Sequence, residues 1–600
     1  MKDELSGHID LTRLFDSTPS DTAWLDSLAL HGAHIARDAH LACVLLGDPQ
    51  FDDADALQVV ANSGPAAGFL QLWRRHGEKA CQRLRGGYSV VLIDRLRPAV
   101  FLCVDRFAIQ TLCYSHDEGR TLSFSNRADC VQGRGTEFDS QSIFDYLFFH
   151  MIPAPRTIFA KVRRLPAAHS LLIDREGAHL QRHWPLRFDE RNRQGFDEAR
   201  DSFRQIIKAA VQEEIAGQGT VGTFLSGGTD SSTVTGMLRE VTGQAPKAYS
   251  IGFEAEGYDE MEYARLAARH FGCEHHEYYV TPADLLASIP AVAQYHDQPF
   301  GNSSSLPSYY CAKMAKEDGC DKILAGDGGD ELFGGNSRYA MQKVFEYYHA
   351  LPSGLRAAIE PFCGDTSVLR RIPGLRQMTG YVRHSKSPLP DRLQNYNLVM
   401  QLNPATVLTA DFLSTVDIGQ PMQHMRSTWN ECEQPVGLVN HMLAYDWRYT
   451  LADSDLPKVR GATSMAGIAV GYPMLADRLA DFSMRLDPHW KLKRFKLRWF
   501  FKEALRGFLP DEIITKKKQG FGLPYGPWMS RDPALKRLAL DSLQGLVARG
   551  IVRADFVQAL MGPHLQDHPG YYGEMVWILM MLEQWLRGQD DASQAATAMS

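Results

Sequence analysis

Hydrophobic residues in the first third of the chain occur in short runs separated by Gly, Pro and Asp turns. Tyr88–Asp94 and Ala99–Val104 are two such runs, and their length and composition predict β-strands. A polar stretch over 187–194 follows, and apolar residues then recur at helical spacing across Phe196–Ile215. We therefore predict a β-rich first domain with a few helices over residues 1–186, ending at the polar stretch.

From Val221 the pattern changes to alternating strands and helices. The predicted elements are the strands Val221–Leu225, Ala248–Phe253 and His276–Val280 and the helices Ser232–Val241 and Glu260–His270. This alternation is typical of βαβ units and predicts a parallel sheet with helices on both faces. Beyond about Tyr339 the chain is mostly helical, with a last helix near Gly573–Arg587. We predict a second, α/β domain over residues 187–600 with a helical C-terminal part.

Composition narrows the class of protein. The 600 residues are 44% hydrophobic and 22% charged, which is typical of a globular chain and leaves little room for disorder. A net charge of −7 gives no support for a nucleic-acid partner. The ten cysteines form no CxxC pair, so neither a zinc site nor a disulfide framework is indicated. A reducing, cytoplasmic location is expected.

No segment suggests a membrane partner. The first 18 residues contain acids and no apolar core of a signal peptide, and no run approaches the roughly 18 apolar residues that span a bilayer. The longest apolar run, Met575–Leu582, ends at Glu583 and is predicted to be a buried helix.

The strongest chemical signal is the segment Phe224–Ser232, FLSGGTDSS, where a predicted strand ends and a helix begins. Its Ser-Gly-Gly loop lets backbone N–H groups approach an anion, and the helix N-terminus adds partial positive charge. The chain has no GxxxxGK[ST] loop, whose lysine reaches the terminal phosphates, so we favour cleavage between the α- and β-phosphates. A merely Gly-rich turn is the less favoured interpretation.

This segment resembles the pyrophosphate loop of the ATP pyrophosphatase superfamily, and later motifs resemble asparagine synthetase and its relatives. These motifs are Ser250–Glu254, Gly257–Glu260, Glu274–Glu277, Tyr295–Phe300, Ala325–Gly335 and Lys518–Pro524. The resemblance covers most of residues 196–530 and, more faintly, the first region. It implies ATP and Mg²⁺ as cofactors, a carboxylate activated as an acyl-adenylate, and attack on it by an amine. It also implies a glutaminase-type Ntn-hydrolase-like α+β fold for residues 1–186.

Candidate site residues follow from both arguments. Asp230 and Asp330 are hard oxygen ligands of the kind that Mg²⁺ prefers when it is shared with phosphates. The cradle for the β- and γ-phosphates is predicted to be Ser226, Gly227, Gly228 and Ser231. By resemblance, the nucleotide is lined by Phe224, Ile251 and Gly326. We expect magnesium pyrophosphate to lie between the two acids.

Two further residues are catalytic candidates. By resemblance, Lys518 occupies the position of the family lysine that steadies charge on the transferring phosphate and carbonyl. Lys516 and Lys517 precede it, as in a solvated surface run, but Lys518 alone has the matching Gly-Phe-Gly spacing. Asp327 lies where amide-forming relatives carry a carboxylate and a β-lactam-forming relative carries a tyrosine that helps to deprotonate the amine.

The first domain departs from the pattern of glutamine-dependent relatives. Those proteins begin Met-Cys and use the exposed Cys as the glutaminase nucleophile, whereas this sequence begins Met-Lys-Asp and its first cysteine is Cys43. Leu84–Ser89 and Asp105–Leu112 still resemble strands of the glutaminase fold, but the Asn-Gly-Glu segment that holds glutamine has no counterpart. We expect a degenerate domain that draws no ammonia from glutamine.

The second domain departs from the pattern near the acyl site. A Glu and an Arg of asparagine synthetases are replaced by Ala469 and Gly471, which predicts a larger, more neutral wall unless both positions serve packing only. The chain most resembles lasso-peptide macrolactam synthetases, which implies a leader-cleaved precursor peptide as substrate and a precursor-processing protease as partner. An ammonia-using asparagine synthetase-like enzyme, a β-lactam synthetase-like cyclase and a non-catalytic ATP-binding scaffold are the alternatives.

Overall fold

The computed structural model describes residues 5–16, 23–117, 120–135, 137–191, 194–255, 257–359, 375–432, 436–517 and 522–599. The catalytic candidate Lys518 lies outside the described residues.

Two antiparallel sheets form the first domain. One has the strand order Arg163–Arg164, Cys113–Asp117, Thr121–Ser125, Ser6–Asp10 and Leu30–His31. The other has the order Gly177–Arg182, His169–Asp174, Ala99–Val104, Tyr88–Asp94, Leu41–Gly47 and His34–Arg37. The runs Tyr88–Asp94 and Ala99–Val104 are strands with every residue buried, as predicted. They are continuous apolar runs because both faces of this sheet are covered.

The main helices of the first domain are Ala54–Ser63, Pro65–His76 and Ser140–Phe149. Each begins where its sequence provides a start signal: an Asp side chain accepts from a backbone N–H at Asp53 and Asp139, and Pro65 is the first residue of its helix. Shorter helical segments are Leu11–Asp16, Ala23–Ser27, Gly77–Arg83 and Ala128–Cys130. The mixture of sheets and helices confirms the predicted α+β character.

A five-stranded parallel sheet organises the second domain. Its strand order is Glu274–Val280, Lys247–Phe253, Val221–Phe224, Lys322–Leu324 and Ala469–Gly471. The helices Phe196–Ile215, Thr229–Thr242, Met261–Phe271, Pro282–Tyr295 and Ser305–Glu317 occur between or before these strands. The predicted alternation of strands and helices is confirmed, with shifts of a few residues at the ends.

The remainder of the second domain is mainly helical, as expected. Its helices of seven residues or more that begin after residue 330 are Ser337–His349, Ser353–Ile359, Leu375–Lys386, Gln420–Asn430, Leu438–Asp446, Trp447–Asp455, Leu456–Ala466, Asp477–Arg485, Tyr525–Arg531, Pro533–Ala548 and Pro569–Met599. Short helices that bear on the site are Gly329–Phe333 and Trp499–Ala504.

The last helix contacts both domains. All residues of the run Met575–Leu582 are buried, which confirms the prediction for this segment. Tyr146, from the first domain, donates its hydroxyl proton to the Ile578 carbonyl at 2.8 Å. Within the second domain, the Trp585 indole of the same helix donates to the His296 carbonyl at 2.9 Å. Within the described part of the chain, no helix is both long enough and apolar enough to cross a bilayer.

Ion pairs also join the domains. Arg106 of the first domain contacts Asp477 and Asp481 at 2.8 Å and 2.7 Å, and Arg164 contacts Asp297 at 2.7 Å. The predicted boundary near residue 187 falls between the strand that ends at Arg182 and the helix that begins at Phe196, and its position stays a prediction.

Candidate active site

The Gly-rich loop joins the strand Val221–Phe224 to the helix Thr229–Thr242. Inside it the Ser226 N–H donates to the Ser231 Oγ at 3.2 Å, and the two hydroxyl oxygens lie 3.1 Å apart. The first N–H groups of the following helix have no partner within the helix itself, so they are available to an anion. The loop therefore has the form of a phosphate site.

Gly227 is required by the shape of this loop. Its φ is +69°, a backbone conformation that side chains disfavour, and a Cβ there would lie 2.4 Å from the Ala264 backbone nitrogen. The loop thus lies against the start of the next helix, Met261–Phe271, with no space for a side chain between them.

We expect Gly227→Ala to weaken both the fold and ATP binding, because the new methyl group forces the loop away from the helix. The left-handed backbone alone costs about 1–2 kcal/mol, and the steric overlap adds to it. Gly243→Ala, at the end of the same helix, is the control, since Gly243 has φ +68° and no atom within 4 Å of its added Cβ. Thermal unfolding and ATP titration of both variants measure the difference, and equal behaviour would refute the steric part.

The second Gly-rich segment follows the strand Lys322–Leu324 and leads into the helix Gly329–Phe333. A Cβ on Gly326 would lie 2.8 Å from the Ser231 backbone nitrogen, and one on Gly329 would lie 2.0 Å from Asp230 Oδ1. The absence of side chains at these two glycines lets the two loops touch. The contact places Asp230 and Asp330 side by side at the carboxyl ends of adjacent parallel strands.

Both carboxylates converge on Arg498. Its Nη1 lies 2.7 Å from Asp230 Oδ2 and 2.7 Å from Asp330 Oδ1, and its Nη2 also contacts Asp230. Arg498 is buried and has a left-handed backbone at φ +54°, directly before the helix Trp499–Ala504. Sequence reasoning did not single out Arg498, because nothing in its local pattern differs from that of a helical surface cation.

The donor set fits a divalent cation bound together with phosphates. Two carboxylates here point at one cationic group. Carboxylates are hard oxygen ligands, and Mg²⁺ usually takes one or two of them from a protein while phosphates and water complete its coordination shell. Asp230 and Asp330 would hold the ion, which would neutralise developing charge on the phosphates. Arg498 provides the positive charge between the two acids in this structure.

A cavity of about 1050 Å³ opens over both loops. It is lined by most of the predicted ATP-site residues, namely Phe224, Ser226, Gly228, Asp230, Ser231, Ile251 and Gly326. The exception, Gly227, faces the neighbouring helix instead. The structure thus brings the predicted nucleotide residues to one place, together with Asp327 and Asp330.

Asp327 faces a cation that the sequence did not reveal. Lys458 Nζ lies 3.3 Å from Asp327 Oδ1 and 3.1 Å from Asp455 Oδ1, and all three residues line the cavity. Burial raises the pKa of Asp327, while the charge of Lys458 opposes that rise. Glu331 also lines the cavity, and burial, followed by the charge of Asp330, holds its pKa well above the usual range. In the sequence, the one signal for Glu331 is its position directly after Asp330 in the motif DELFGG.

The lysine run reaches the same cavity. Lys516 and Lys517 line it, and Lys516 Nζ pairs with Glu260 Oε1 at 2.7 Å. Lys516 is therefore held by an ion pair rather than free in solvent, in contrast to the surface-run interpretation. The role of Lys518 stays a prediction.

The wall near Gly471 differs from the expectation of an enlarged, neutral surface. A Cβ on Gly471 would lie 2.4 Å from Glu214 Oε2 and 2.8 Å from Lys322 Cε, and this Glu–Lys pair has a 2.5 Å contact. The space is therefore filled by another ion pair, and neither Ala469 nor Gly471 lines the cavity. Gly471 therefore serves packing, which is the alternative given in the sequence analysis.

A parallel α/β domain with a phosphate loop and paired carboxylates, preceded by an amidotransferase-like domain, defines an ATP-dependent ligase. Residues 202–587 match the family model for asparagine synthase, and residues 62–184 match that for a glutamine amidotransferase domain. The chain belongs to the asparagine synthase family, whose members form carbon–nitrogen bonds.

The relatives share little sequence identity with this chain, but the similarity covers most of each chain. Asparagine synthetase [glutamine-hydrolyzing] 1 of Bacillus subtilis (strain 168) is 22% identical over 527 residues, covering 86% of this chain and 80% of the relative. A putative asparagine synthetase [glutamine-hydrolyzing] of Mycobacterium tuberculosis (strain ATCC 25618 / H37Rv) is 24% identical, covering 88% and 80%. Amidase chyE of Penicillium rubens is 23% identical over 503 residues, covering 76% and 72%. The similarity therefore extends over both domains.

Proposed function

We propose that this ligase closes a peptide macrolactam. It uses ATP and Mg²⁺ to adenylate an Asp or Glu side chain of a leader-cleaved precursor peptide, and the N-terminal amine of the same peptide then attacks the activated carbonyl. AMP and pyrophosphate are released. A precursor-processing protease would free the amine beforehand.

The size of the cavity is the main support. Its volume of about 1050 Å³ is just above the roughly 300–1000 Å³ of a pocket that holds one small-molecule ligand. Besides the phosphate loops, the cavity is lined by the paired charges of Asp327, Asp455 and Lys458, which offer a second substrate a charged surface. A peptide held there would present both reacting groups in one pocket, which makes the joining step effectively unimolecular.

The first domain offers little support for glutamine as the nitrogen source. Cys43 lies within the strand Leu41–Gly47 with no exposed surface, and burial raises the pKa of its thiol far above the usual range. A thiol in that state is not a nucleophile. Ammonia released in the first domain would also have to cross to the second, and Arg106 and Arg164 form ion pairs between the two. An amine carried by the substrate itself removes the need for such transfer.

The residues suggest the following chemistry. A carboxylate oxygen attacks the α-phosphorus as the bond to the β-phosphate breaks, and pyrophosphate leaves with the electron pair into the loop of Ser226 and Gly228. The protonated amine gives one proton to Asp327, and its lone pair forms the C–N bond. The acyl–oxygen bond breaks, AMP leaves with that electron pair, and the nitrogen's second proton passes to the departing phosphate.

A second candidate is amidation of a small acid by ammonia. Several relatives are named asparagine synthetases [glutamine-hydrolyzing], which favours amidation of a small acid. It uses the same adenylating residues and differs only in what fills the second part of the cavity.

Mass spectrometry distinguishes these candidates. The protein is incubated with ATP, Mg²⁺ and either a library of short peptides with N-terminal Gly and a later Asp or Glu, or aspartate with ammonium or glutamine. We expect AMP formation together with the loss of one water from a peptide, and no asparagine from glutamine. Asparagine formed from ammonium, without any peptide dehydration, would refute the macrolactam proposal in favour of the second candidate.

A further inference from the structure

Lys458 is a charged residue of the cavity that the chemistry assigned to the phosphate loops does not use. It lies in the first turn of the helix Leu456–Ala466, one turn after Asp455, the residue that precedes this helix. Asp327 comes from the loop between the strand Lys322–Leu324 and the helix Gly329–Phe333. The ammonium therefore links two separate parts of the fold, 3.3 Å from Asp327 and 3.1 Å from Asp455.

Burial makes this cluster unusual for a set of surface charges. The exposed fractions of the side chains are 15% for Lys458, 20% for Asp327 and 26% for Asp455. A buried ammonium is costly unless it is paired, and the two carboxylates provide that pairing. What exposure remains is toward the cavity, which all three residues line. The cluster is thus held in place and open to a substrate.

The cluster has its own cation, different from the cation that pairs with the two candidate metal ligands. Asp230 and Asp330 take their positive charge from Arg498, whereas Asp327 takes its positive charge from Lys458. Asn302, which lines the same cavity, donates to the Ser454 hydroxyl at 3.4 Å, directly beside Asp455. Asn302 is therefore a further polar residue of the cavity, bonded to the neighbour of Asp455.

We propose that Lys458 is a positioning residue of an amine-acceptor subsite, where it keeps Asp327 ionised and aimed at the incoming amine. This inference rests on the proposed function and extends it to the second half-reaction. Asp455 balances the charge of Lys458, so that the ammonium stays between the two acids. The acceptor is a primary amine that arrives protonated and gives its proton to Asp327.

The neighbouring titratable groups are consistent with this assignment. At the start of the helix Leu456–Ala466, the charge of Asp455 raises the pKa of Asp327 and the charge of Lys458 lowers it. Glu331, on the helix Gly329–Phe333, has a pKa held well above the usual range by burial, followed by the charge of Asp330. The buried hydroxyl of Tyr472, after the strand Ala469–Gly471, is neutral, because burial and then Asp327 raise its pKa. Lys458 is therefore the cation that pairs with Asp327 and opposes the rise of its pKa.

The two half-reactions provide the test. Carboxylate-dependent ATP–pyrophosphate exchange reports adenylation alone, and hydroxylamine traps an acyl-adenylate without needing a base, because it is neutral at pH 7. The probes are the peptide library described above, aspartate, hydroxylamine and ammonium. The variants are Lys458→Met, Lys458→Arg, which keeps the cation, and Lys313→Met on the exposed face of the helix Ser305–Glu317 as the control.

We expect Lys458→Met to keep the rates of ATP–pyrophosphate exchange and of hydroxamate formation within about twofold of the original protein. Amide formation with the peptide amine or with ammonium should slow by about 100-fold, the size of a general-base effect. Lys458→Arg should retain at least about a tenth of the amide-forming rate. The acidic limb of the pH–rate profile for amide formation should move to higher pH in Lys458→Met, since Asp327 loses the charge that lowers its pKa.

Equal losses in exchange, hydroxamate and amide formation would overturn the assignment, and so would unchanged amide formation. If Lys458→Met fails to fold, Lys458→Gln, which can still hydrogen-bond to both acids, is measured in the same way. A wild-type protein that shows no exchange with any carboxylate would instead refute the proposed function, and the role of Lys458 would fall with it. The two failures are distinguishable, because failure of the Lys458 assignment is seen only in the variants, whereas failure of the proposed function is seen in the wild-type protein.

Discussion

Asp330→Asn is expected to reduce ATP-dependent AMP formation by about 100- to 1000-fold, the cost of removing one group that stabilises developing charge. The substitution preserves size but replaces a charged oxygen ligand by a neutral amide beside Asp230. The Mg²⁺ concentration that gives half of the maximal rate should rise at least about tenfold, because a weaker ligand set needs more metal. AMP release from the peptide library with hydroxylamine, measured across Mg²⁺ concentrations, tests this.

Asp197→Asn is the matched control, since Asp197 lies on the helix Phe196–Ile215 with its side chain 82% exposed and away from the cavity. Its activity should stay within twofold of the original. Folding of Asp330→Asn should be retained, because Arg498 keeps its contacts with Asp230. An Asp330→Asn protein with half or more of the original rate would exclude Asp330 from the adenylating site.

Arg498→Met is expected to lower the stability of the second domain by about 3 kcal/mol, the low end of the cost of breaking a buried ion pair. The reason is that Asp230 and Asp330 would face each other without the shared guanidinium. Mg²⁺ without ATP should then recover part of the loss, because an ion that binds only the folded state stabilises it by mass action. Thermal unfolding with and without Mg²⁺ measures both effects.

Arg506→Met provides the comparison for this variant. Arg506 also carries carboxylate partners, Glu503 at 3.0 Å and Asp511 at 2.7 Å, but 45% of its side chain is exposed. Exposed ion pairs contribute about 0–1 kcal/mol, so Arg506→Met should change stability little and show no Mg²⁺ dependence. If the two variants behave alike, or if Mg²⁺ does not stabilise Arg498→Met, the carboxylates do not form a cation site.

Local sequence was sufficient for the elements that carry the nucleotide. The strand Val221–Phe224 and the helix Thr229–Thr242 follow from period and length. The loop between them follows from its Ser-Gly-Gly sequence, in which Gly227 has a left-handed backbone that other residues disfavour. These properties depend on residues within a few positions of one another. The phosphate loop and both candidate metal ligands were therefore predictable before any fold was known.

Long-range contacts were not predictable in this way. Arg498 is 268 positions from Asp230, and Lys458 is 131 positions from Asp327. No periodicity or spacing rule connects residues so far apart, since only the packing of helices against the sheet determines which charges meet. The same reason explains Gly471, where the predicted open wall is filled by the distant pair Glu214 and Lys322.

The sequence by itself determined the order of the elements, the phosphate loop and the choice of Asp230 and Asp330 as candidate metal ligands, because local propensity and motif chemistry are encoded in neighbouring residues. Asp327 was predicted by resemblance to amide-forming relatives. The tertiary structure alone decided which cations these acids face. Burial and ion pairing depend on the summed positions of many side chains, so Arg498 became the partner of one pair of acids and Lys458 the partner of the other.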